Sequence, residues 1–167
     1  MFFTRKGSSI SSLDIITHSW FVIKALSFSD KIIQSIFKNK GDFMDPKELV
    51  KRGYELFGKG DMQTFFTEVV HDDITWIFPG DKHPMSGTHK GKEAMMKTMS
   101  LVPQLWDNFS VTPEFMIAEG NKVFAKCKAT ADGMDTIFGH YFEITDGKMS
   151  MFMAFDDTLS SANAIKK

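Results

Sequence analysis

One histidine has the sequence surroundings that acid-base chemistry requires. His140 lies in an alternating stretch, with Phe138 two residues before it and Phe142 two residues after it. Because alternate side chains of a strand point to one face, the imidazole would lie between two phenyl rings. Apolar surroundings favour the neutral imidazole, which can donate or accept a proton. His140 is therefore a candidate acid-base residue. The alternative is a core histidine bonded to a backbone carbonyl or to water.

Two adjacent aspartates could serve that histidine. Asp156 and Asp157 end the last predicted strand, which the turn Asp146-Gly147 joins to the strand of His140. If the turn takes in Thr145 and a bulge, Asp156 shares the face of His140. If the two turn residues alone form the loop, Asp157 does. A histidine beside a carboxyl group could support dehydration, cyclisation or epoxide opening. For Asp157 a role as a helix cap or a solvent-facing strand end is the alternative.

A tyrosine lies on the first helix that the sequence predicts. Asp45 and Pro46 have the types of an N-cap and a first helical residue, and Gly58 ends the run. Tyr54 lies on or near the inward stripe, where a buried phenol needs a hydrogen-bond partner. An ordinary packed tyrosine is the alternative.

The remaining pattern predicts two further helices and a long run of strands. The second helix runs over residues 61–71 and the third over 91–102, where Pro103 ends it. Strands are expected over residues 74–78, 108–117, 123–129, 135–144 and 149–157. Pro113 requires a bulge or an edge strand. Helices followed by an antiparallel meander indicate an α+β fold whose sheet is closed on one face by helices.

Composition limits the function classes. The 167 residues, of which 43% are hydrophobic, fit one domain with its own core. A net charge of −1 lacks the basic field that nucleic-acid binding needs. Cys127 excludes an internal disulfide and reads as a small apolar filler. His83 and His89, in a loop over the pocket mouth, match no metal-ligand spacing and are expected to be solvated. We therefore predict no metal, no cofactor and no nucleic acid.

Residues 1–43 differ from the rest of the chain. They are basic and rich in serine, and their apolar run is too short and too polar to span a bilayer, so no membrane insertion is expected. A disordered leader, a transit-like segment and a mis-assigned start before Met44 stay open. The domain is placed at residues 44–160 and a frayed tail at 161–167. A cytoplasmic location is expected, with organelle targeting as the alternative.

Residues 72–94 bear a family resemblance. Two acidic residues, a strand with an aromatic, Pro-Gly, then Ser-Gly-x-x-x-Gly and a helix follow in that order. This order resembles the SnoaL-like and ketosteroid-isomerase-like branch of the NTF2-like superfamily, over residues 45–158. The resemblance implies a cone-shaped α+β fold with three N-terminal helices packed on a strongly curved, mostly antiparallel sheet. It also implies a pocket between the sheet and the helices, and frequently a homodimer through the sheet's outer face.

The resemblance also implies residue roles. His140 looks like the pocket acid that holds a substrate oxygen, and Tyr54 like the donor to the oxyanion, with its register off by one. Phe78 stands where ketosteroid isomerases carry the proton-shuttling aspartate, so their steroid double-bond shift is not expected. The resemblance favours the turn that gives Asp156 to the pocket, although Asp157-Thr158 looks like the family's common element.

These observations lead to one hypothesis with a rival. A small apolar or ring-containing molecule is expected in a pocket walled by Tyr54, Trp76, Phe78, Met85, Phe138, His140, Phe142 and Phe152. As an enzyme, the protein would be a cofactor-free isomerase, cyclase, dehydratase or hydrolase, with His140 as acid-base and Asp156 or Asp157 orienting it. The rival is a non-catalytic ligand-binding or interaction module.

Overall fold

One six-stranded sheet organises residues 44–167, the part of the chain that the structure, a computed structural model, describes. Its order is β2-β1-β6-β5-β4-β3. The β1 and β6 strands are parallel and all other neighbours are antiparallel. The strands are β1 Val70–Phe78, β2 Gly87–Lys90, β3 Ser110–Glu119, β4 Lys122–Ala131, β5 Met134–Thr145 and β6 Lys148–Phe155. The leader predicted for residues 1–43 lies outside the described residues.

Turn residues in the sequence set the hairpins of the sheet. Gly120 and Gly133 have positive φ at the turns before β4 and β5. Asp146 and Gly147 both have positive φ, as a two-residue hairpin loop requires, and Thr145 pairs with Lys148 across it. As expected for a strand containing proline, β3 is an edge strand, and its register shifts after Pro113.

Residues 44–167 contain five α-helices and one π-helical turn besides the sheet. They are α1 Pro46–Gly58, α2 Met62–Thr64, the π turn Phe65–Val69, α3 Lys92–Met99, α4 Val102–Leu105 and α5 Thr158–Asn163. Asp45 caps α1 as the sequence predicts: its side chain accepts from the backbone N–H groups of Lys47 and Glu48. The buried stripe of α1 consists of Leu49, Val50, Gly53 and Leu56.

Three expectations for the connecting segments are wrong. The second helix does not continue to His71, because the chain widens into the π turn and enters β1 at Val70. The third helix ends at Met99, and Pro103 lies in the first turn of α4, where its missing N–H costs no hydrogen bond. The loop after Phe78 contains a short strand, β2, paired with β1.

The end of the chain is folded onto the domain, where the sequence predicts fraying from residue 161. Asp157 caps α5, and Ser161 is 2% exposed. The indole N–H of Trp106 donates to the Ser161 carbonyl at 2.9 Å, and the backbone N–H of Lys166 donates to the Leu105 carbonyl at 2.9 Å. These bonds join the end of the chain to the α4 segment.

Candidate active site

An apolar cavity of about 90 Å³ lies between the inner face of the sheet and the helices. An engineered cavity of about 150 Å³ is enough to bind benzene, so a ring would need wall side chains to move. Methionines of the wall can adapt in this way. The wall consists of Val50, Gly53, Tyr54, Phe57, Phe65, Trp76, Phe78, His83, Met85, Met99, Val102, Trp106, Phe109, Val111, Phe138, His140, Phe142, Met149, Phe152, Asp156 and Ser161.

The aromatic residues and the methionine predicted to wall a pocket all line this cavity. They are Trp76, Phe78, Met85, Phe138, Phe142 and Phe152. Trp76 stacks on Phe152, with ring centroids 3.8 Å apart and planes at 16°. His140 meets Phe152 edge-on at 4.9 Å. Trp76 and His140 therefore converge on one hollow, while contact of any of these side chains with a ligand stays a prediction.

His140 belongs to a hydrogen-bonded group that we call the paired cluster: Tyr54, Cys127 and His140. The Tyr54 hydroxyl lies 2.7 Å from His140 Nδ1 and 3.1 Å from Cys127 Sγ. Burial raises the pKa of Tyr54, with further contributions from Cys127 and Asp156, so the phenol keeps its proton. Burial likewise raises the pKa of Cys127 to about 11. Cys127, expected to be a filler, also lies within hydrogen-bond distance of Tyr54.

Small neighbours in the sheet make room for the imidazole. His140 of β5 lies opposite Ala125 of β4 and Ala154 of β6, and both alanines are completely buried. Alternation in β5 then places Phe138 and Phe142 on either side of it, as the sequence predicts. The small methyl groups of these alanines leave space for the imidazole on the inner face of the sheet. Tyr54 of α1 approaches the imidazole from the helix side.

A bulge at Ser150 decides which aspartate reaches the cavity. Ile144 pairs with Met149 and Glu143 with Met151, which leaves Ser150 as an extra residue. A two-residue loop without a bulge would place Asp157 on the face of His140. The bulge at Ser150 shifts the alternation by one residue, so Asp156 lies on that face, as the longer turn was expected to give. Asp156 therefore lines the cavity, with Oδ1 3.6 Å from His140 Nε2, and its side chain is 7% exposed.

Asp157 lies outside the cavity, which corrects its place among the candidate acid-base residues. Its Oδ1 accepts from the Ser160 backbone N–H at 3.0 Å, and its Oδ2 accepts from the Thr136 hydroxyl at 3.2 Å. These hydrogen bonds, with those of Ser160 foremost, lower the pKa of Asp157. Its position is that of a helix cap, the alternative that the sequence left open.

With this geometry established, comparison with known proteins identifies the family. The sequence profile of the SnoaL-like domain matches residues 50–151, more than half of the chain. The chain belongs to the SnoaL-like family. No curated protein sequence matches it.

Solved structures show the same NTF2-like fold. The chain is similar to TerC co-crystallised with polyporic acid, with 21% identity and a TM-score of 0.64 over 71% of this chain and 96% of that one. A Burkholderia thailandensis NTF2-like protein has 18% identity and a TM-score of 0.66, over 73% and 98% of the two chains. IdmH of Streptomyces antibioticus, a proposed polyketide cyclase, has 17% identity and a TM-score of 0.62, over 72% and 98%. The predicted cone-shaped α+β fold is confirmed.

The wall of the SnoaL-like domain includes a histidine that was expected to be solvated. His83, expected to be solvated, is 7% exposed and lines the cavity, with its ring 5.8 Å from that of Trp106. Burial lowers the pKa of His83, and Asp156 partly opposes that shift. The sequence contained one indication of this burial. Met85 was predicted to lie in the wall, and its neighbour His83, two residues earlier, must then lie close to the wall as well. His89 Nε2, in turn, lies 2.9 Å from the Met85 carbonyl.

The described part of the SnoaL-like domain contains neither a cluster of metal ligands nor a membrane-spanning helix. Within residues 44–167, no three His, Cys, Asp or Glu side chains are grouped so as to hold a metal ion. No helix in the same range is long and apolar enough to cross a membrane. The absence of a metal and of a cofactor stays a prediction.

Proposed function

We propose that this SnoaL-like domain binds a small apolar or ring-containing molecule in its cavity and acts on it by acid-base chemistry without a cofactor. The observation that carries the proposal is the buried series Tyr54, His140 and Asp156 in an otherwise apolar wall. The reaction classes are isomerisation, cyclisation, dehydration or hydrolysis. The TerC structure with polyporic acid and the IdmH designation as a proposed polyketide cyclase support small-molecule chemistry on this fold.

The paired cluster determines which nitrogen of His140 can exchange a proton with a ligand. Nδ1 is already 2.7 Å from the Tyr54 hydroxyl. When Tyr54 donates to Nδ1, Nε2 carries the imidazole proton and can only donate a hydrogen bond to a ligand. When Nδ1 carries the proton and donates to Tyr54, which can donate to Cys127, Nε2 is free to take a proton from the ligand and to return it from the resulting imidazolium. Nε2 is therefore the nitrogen that gives or takes the ligand's proton, and Tyr54 is a positioning residue instead of the oxyanion donor that the resemblance implied.

Asp156 is the group that orients His140 in this proposal. Its Oδ1 lies 3.6 Å from Nε2, which is longer than a hydrogen bond, and both groups line the cavity. A ligand atom beside these groups would exchange its proton with Nε2. Wall residues around them exclude water, which strengthens each electrostatic interaction.

A second candidate function is ligand binding without turnover. Phe78 favours it, because phenylalanine lies in the cavity wall at the position where the resembling isomerases carry their base. A phenyl ring cannot carry a proton. The two candidates share the pocket and differ in what His140 does.

Variants of the full chain distinguish the candidates. A panel of ring compounds is first screened by thermal shift, and the ligands found are tested for conversion by mass spectrometry. We expect His140→Gln and His140→Ala to abolish conversion while ligand binding persists. His71→Gln, which changes a histidine outside the wall, is the matched control. Binding unchanged by both His140 variants, with no conversion by the wild type, would establish the binding module. If no compound of the panel binds, both candidate functions are contradicted.

We also propose that the domain forms a homodimer through the outer face of the sheet. Register places Ile117 beside Phe124 and Gly139 beside Phe155 on that face. Phe115, Ile117, Ile137 and Phe155 are each more than half exposed there. Such a cluster is typical of an interaction surface. Sedimentation should give a dimer for the wild type and a monomer for Ile117→Lys; a monomeric wild type at micromolar concentration would contradict the proposal.

A further inference from the structure

Three buried polar atoms in residues 44–167 lack a hydrogen-bond partner, and all three belong to residues that line the cavity. They are Trp76 Nε1, His83 Nδ1 and Asp156 Oδ1, which we call the unpaired set. Trp76 and His83 are 6% and 7% exposed, and the Asp156 side chain is 7% exposed. Buried polar atoms are normally paired, because an unpaired one loses its hydration without compensation. Their occurrence in one cavity wall indicates partners supplied by a bound molecule.

The chemistry of these atoms specifies what such a molecule offers. The indole N–H can only donate, so it needs an acceptor oxygen or nitrogen. The Asp156 carboxyl oxygen accepts, so it needs an O–H or N–H donor. His83 Nδ1 can take either role, because burial lowers the pKa of this imidazole and favours its neutral form.

The charge of the wall limits the molecule further. The residues that line the cavity include the carboxyl group of Asp156 but no lysine or arginine. A carboxylate or phosphate ligand would lose its hydration without gaining a lysine or arginine partner, and it would meet the carboxyl group of Asp156. The rest of the wall is mainly aromatic and aliphatic, which suits an apolar body. The unpaired set and this wall together favour an uncharged ligand with an apolar body and a polar group.

We propose that the ligand is an uncharged ring compound with a hydroxyl group, as in a phenol or an enol. Its O–H donates to Asp156 Oδ1, and the same or a neighbouring oxygen accepts from Trp76 Nε1. The polar end thus lies beside His140, since Asp156 Oδ1 is 3.6 Å from Nε2. This inference rests on the proposed ligand-binding function and names the class of molecule that the site takes.

Three probes of similar size test the inference: phenol, toluene and benzoate, titrated into the full chain by calorimetry or ligand-observed NMR. A wall without available partners favours toluene over phenol, because the hydroxyl would be buried unpaired. The unpaired set should reverse this order, so that phenol binds about tenfold more tightly than toluene. Benzoate should bind at least about tenfold more weakly than phenol. The pair 2-naphthol and 2-methylnaphthalene repeats the comparison with a larger ring.

The two tryptophans of the wall provide a matched pair of variants. Both line the cavity, but Trp106 Nε1 already donates to the Ser161 carbonyl at 2.9 Å. Trp76→Phe should weaken phenol binding about threefold to tenfold and change toluene binding by less than about twofold. Trp106→Phe should leave the phenol-to-toluene ratio unchanged. Asp156→Leu, which removes the acceptor, should make toluene the tighter ligand.

Each result assigns failure to one proposal. Toluene binding more tightly than phenol to the wild type, or benzoate binding most tightly, would overturn the hydroxyl inference and leave the apolar pocket in place. Equal loss of the phenol preference in Trp76→Phe and Trp106→Phe would also overturn it, because the unpaired N–H would then be irrelevant. Failure of both phenol and toluene, and of the naphthalene pair, to bind would overturn the proposed function itself. Thermal unfolding of each variant shows that it is folded.

Discussion

The paired cluster and the unpaired set lie in the same cavity wall and differ in how their polar atoms are satisfied. In the paired cluster, the Tyr54 hydroxyl is within hydrogen-bond distance of both His140 Nδ1 and Cys127 Sγ. In the unpaired set, Trp76, His83 and Asp156 each have a buried atom without a partner in the described residues. Satisfied atoms contribute to folding, and unsatisfied atoms reduce stability unless a ligand binds. The difference indicates that the paired cluster stabilises the fold and that the unpaired set is available to bind a ligand.

The largest expected effect comes from Phe152, which touches both groups. Its ring stacks on Trp76 at 3.8 Å and meets His140 at 4.9 Å. Phe152→Ala should lower the free energy of unfolding by about 3–5 kcal/mol, through lost burial and an enlarged cavity. Urea denaturation measures this change. Leu159→Ala, at a residue 68% exposed, is the control and should change stability by about 0.5 kcal/mol or less. Equal losses in both variants would show that Phe152 does not hold the wall together.

Removing the phenol hydroxyl of the paired cluster should be the next largest effect. Tyr54→Phe leaves His140 Nδ1 and Cys127 Sγ without their shared partner. The free energy of unfolding should fall by about 1–3 kcal/mol, measured by denaturant titration. Tyr141→Phe removes a hydroxyl that bonds Glu143 near the surface and should cost about 0.5 kcal/mol or less. A Tyr54→Phe variant as stable as the wild type would remove the distinction between the two groups.

The opposite sign is expected for the unpaired set. Asp156→Leu removes a buried carboxyl group whose Oδ1 has no hydrogen-bond partner, so the free energy of unfolding should stay constant or rise by about 1 kcal/mol. The neighbouring residue gives the control. Asp157→Leu loses the cap of α5 and should cost about 1 kcal/mol. A loss for Asp156→Leu larger than that for Asp157→Leu would mean that Asp156 is structurally satisfied.

The smallest effect concerns pH. Burial lowers the pKa of His83 in the folded state, with Asp156 opposing in part. As pH falls below about 6.5, the unfolded chain therefore takes up a proton at His83 before the folded chain does, and stability decreases. His83→Gln should make the fall in unfolding free energy between about pH 6.5 and 5 shallower than in the wild type. Parallel stability curves for the two proteins would show that burial does not perturb His83.

Local signals predicted the elements that frame the site. Asp45 and Pro46 predicted the start of α1, and Asp146-Gly147 predicted the position of the last turn but left its register open, because capping and turn geometry depend on a few adjacent residues. Alternation in β5 gave Phe138, His140 and Phe142 a common face. These features need no information from distant parts of the chain.

Contacts between distant segments determined what the sequence missed. Burial of His83 depends on Trp106, 23 positions further along, and on Phe78, whose ring centroid lies 5.8 Å away. The pairing of Tyr54 with Cys127 depends on where α1 crosses β4. Over five residues, the spacing of apolar side chains fits a π turn and an α-helix equally well. The end of the second helix therefore could not be predicted from the sequence.

The extra residue at Ser150 has a consequence for how sequences of this type can diverge. Deleting it would make Met151 follow Met149 directly, so that the strand alternates regularly while Met151 still pairs with Glu143. Phe152 and Asp156 would then keep the inner face without a bulge. Loss of this single codon would thus straighten β6 and preserve the residues that the strand gives to the site.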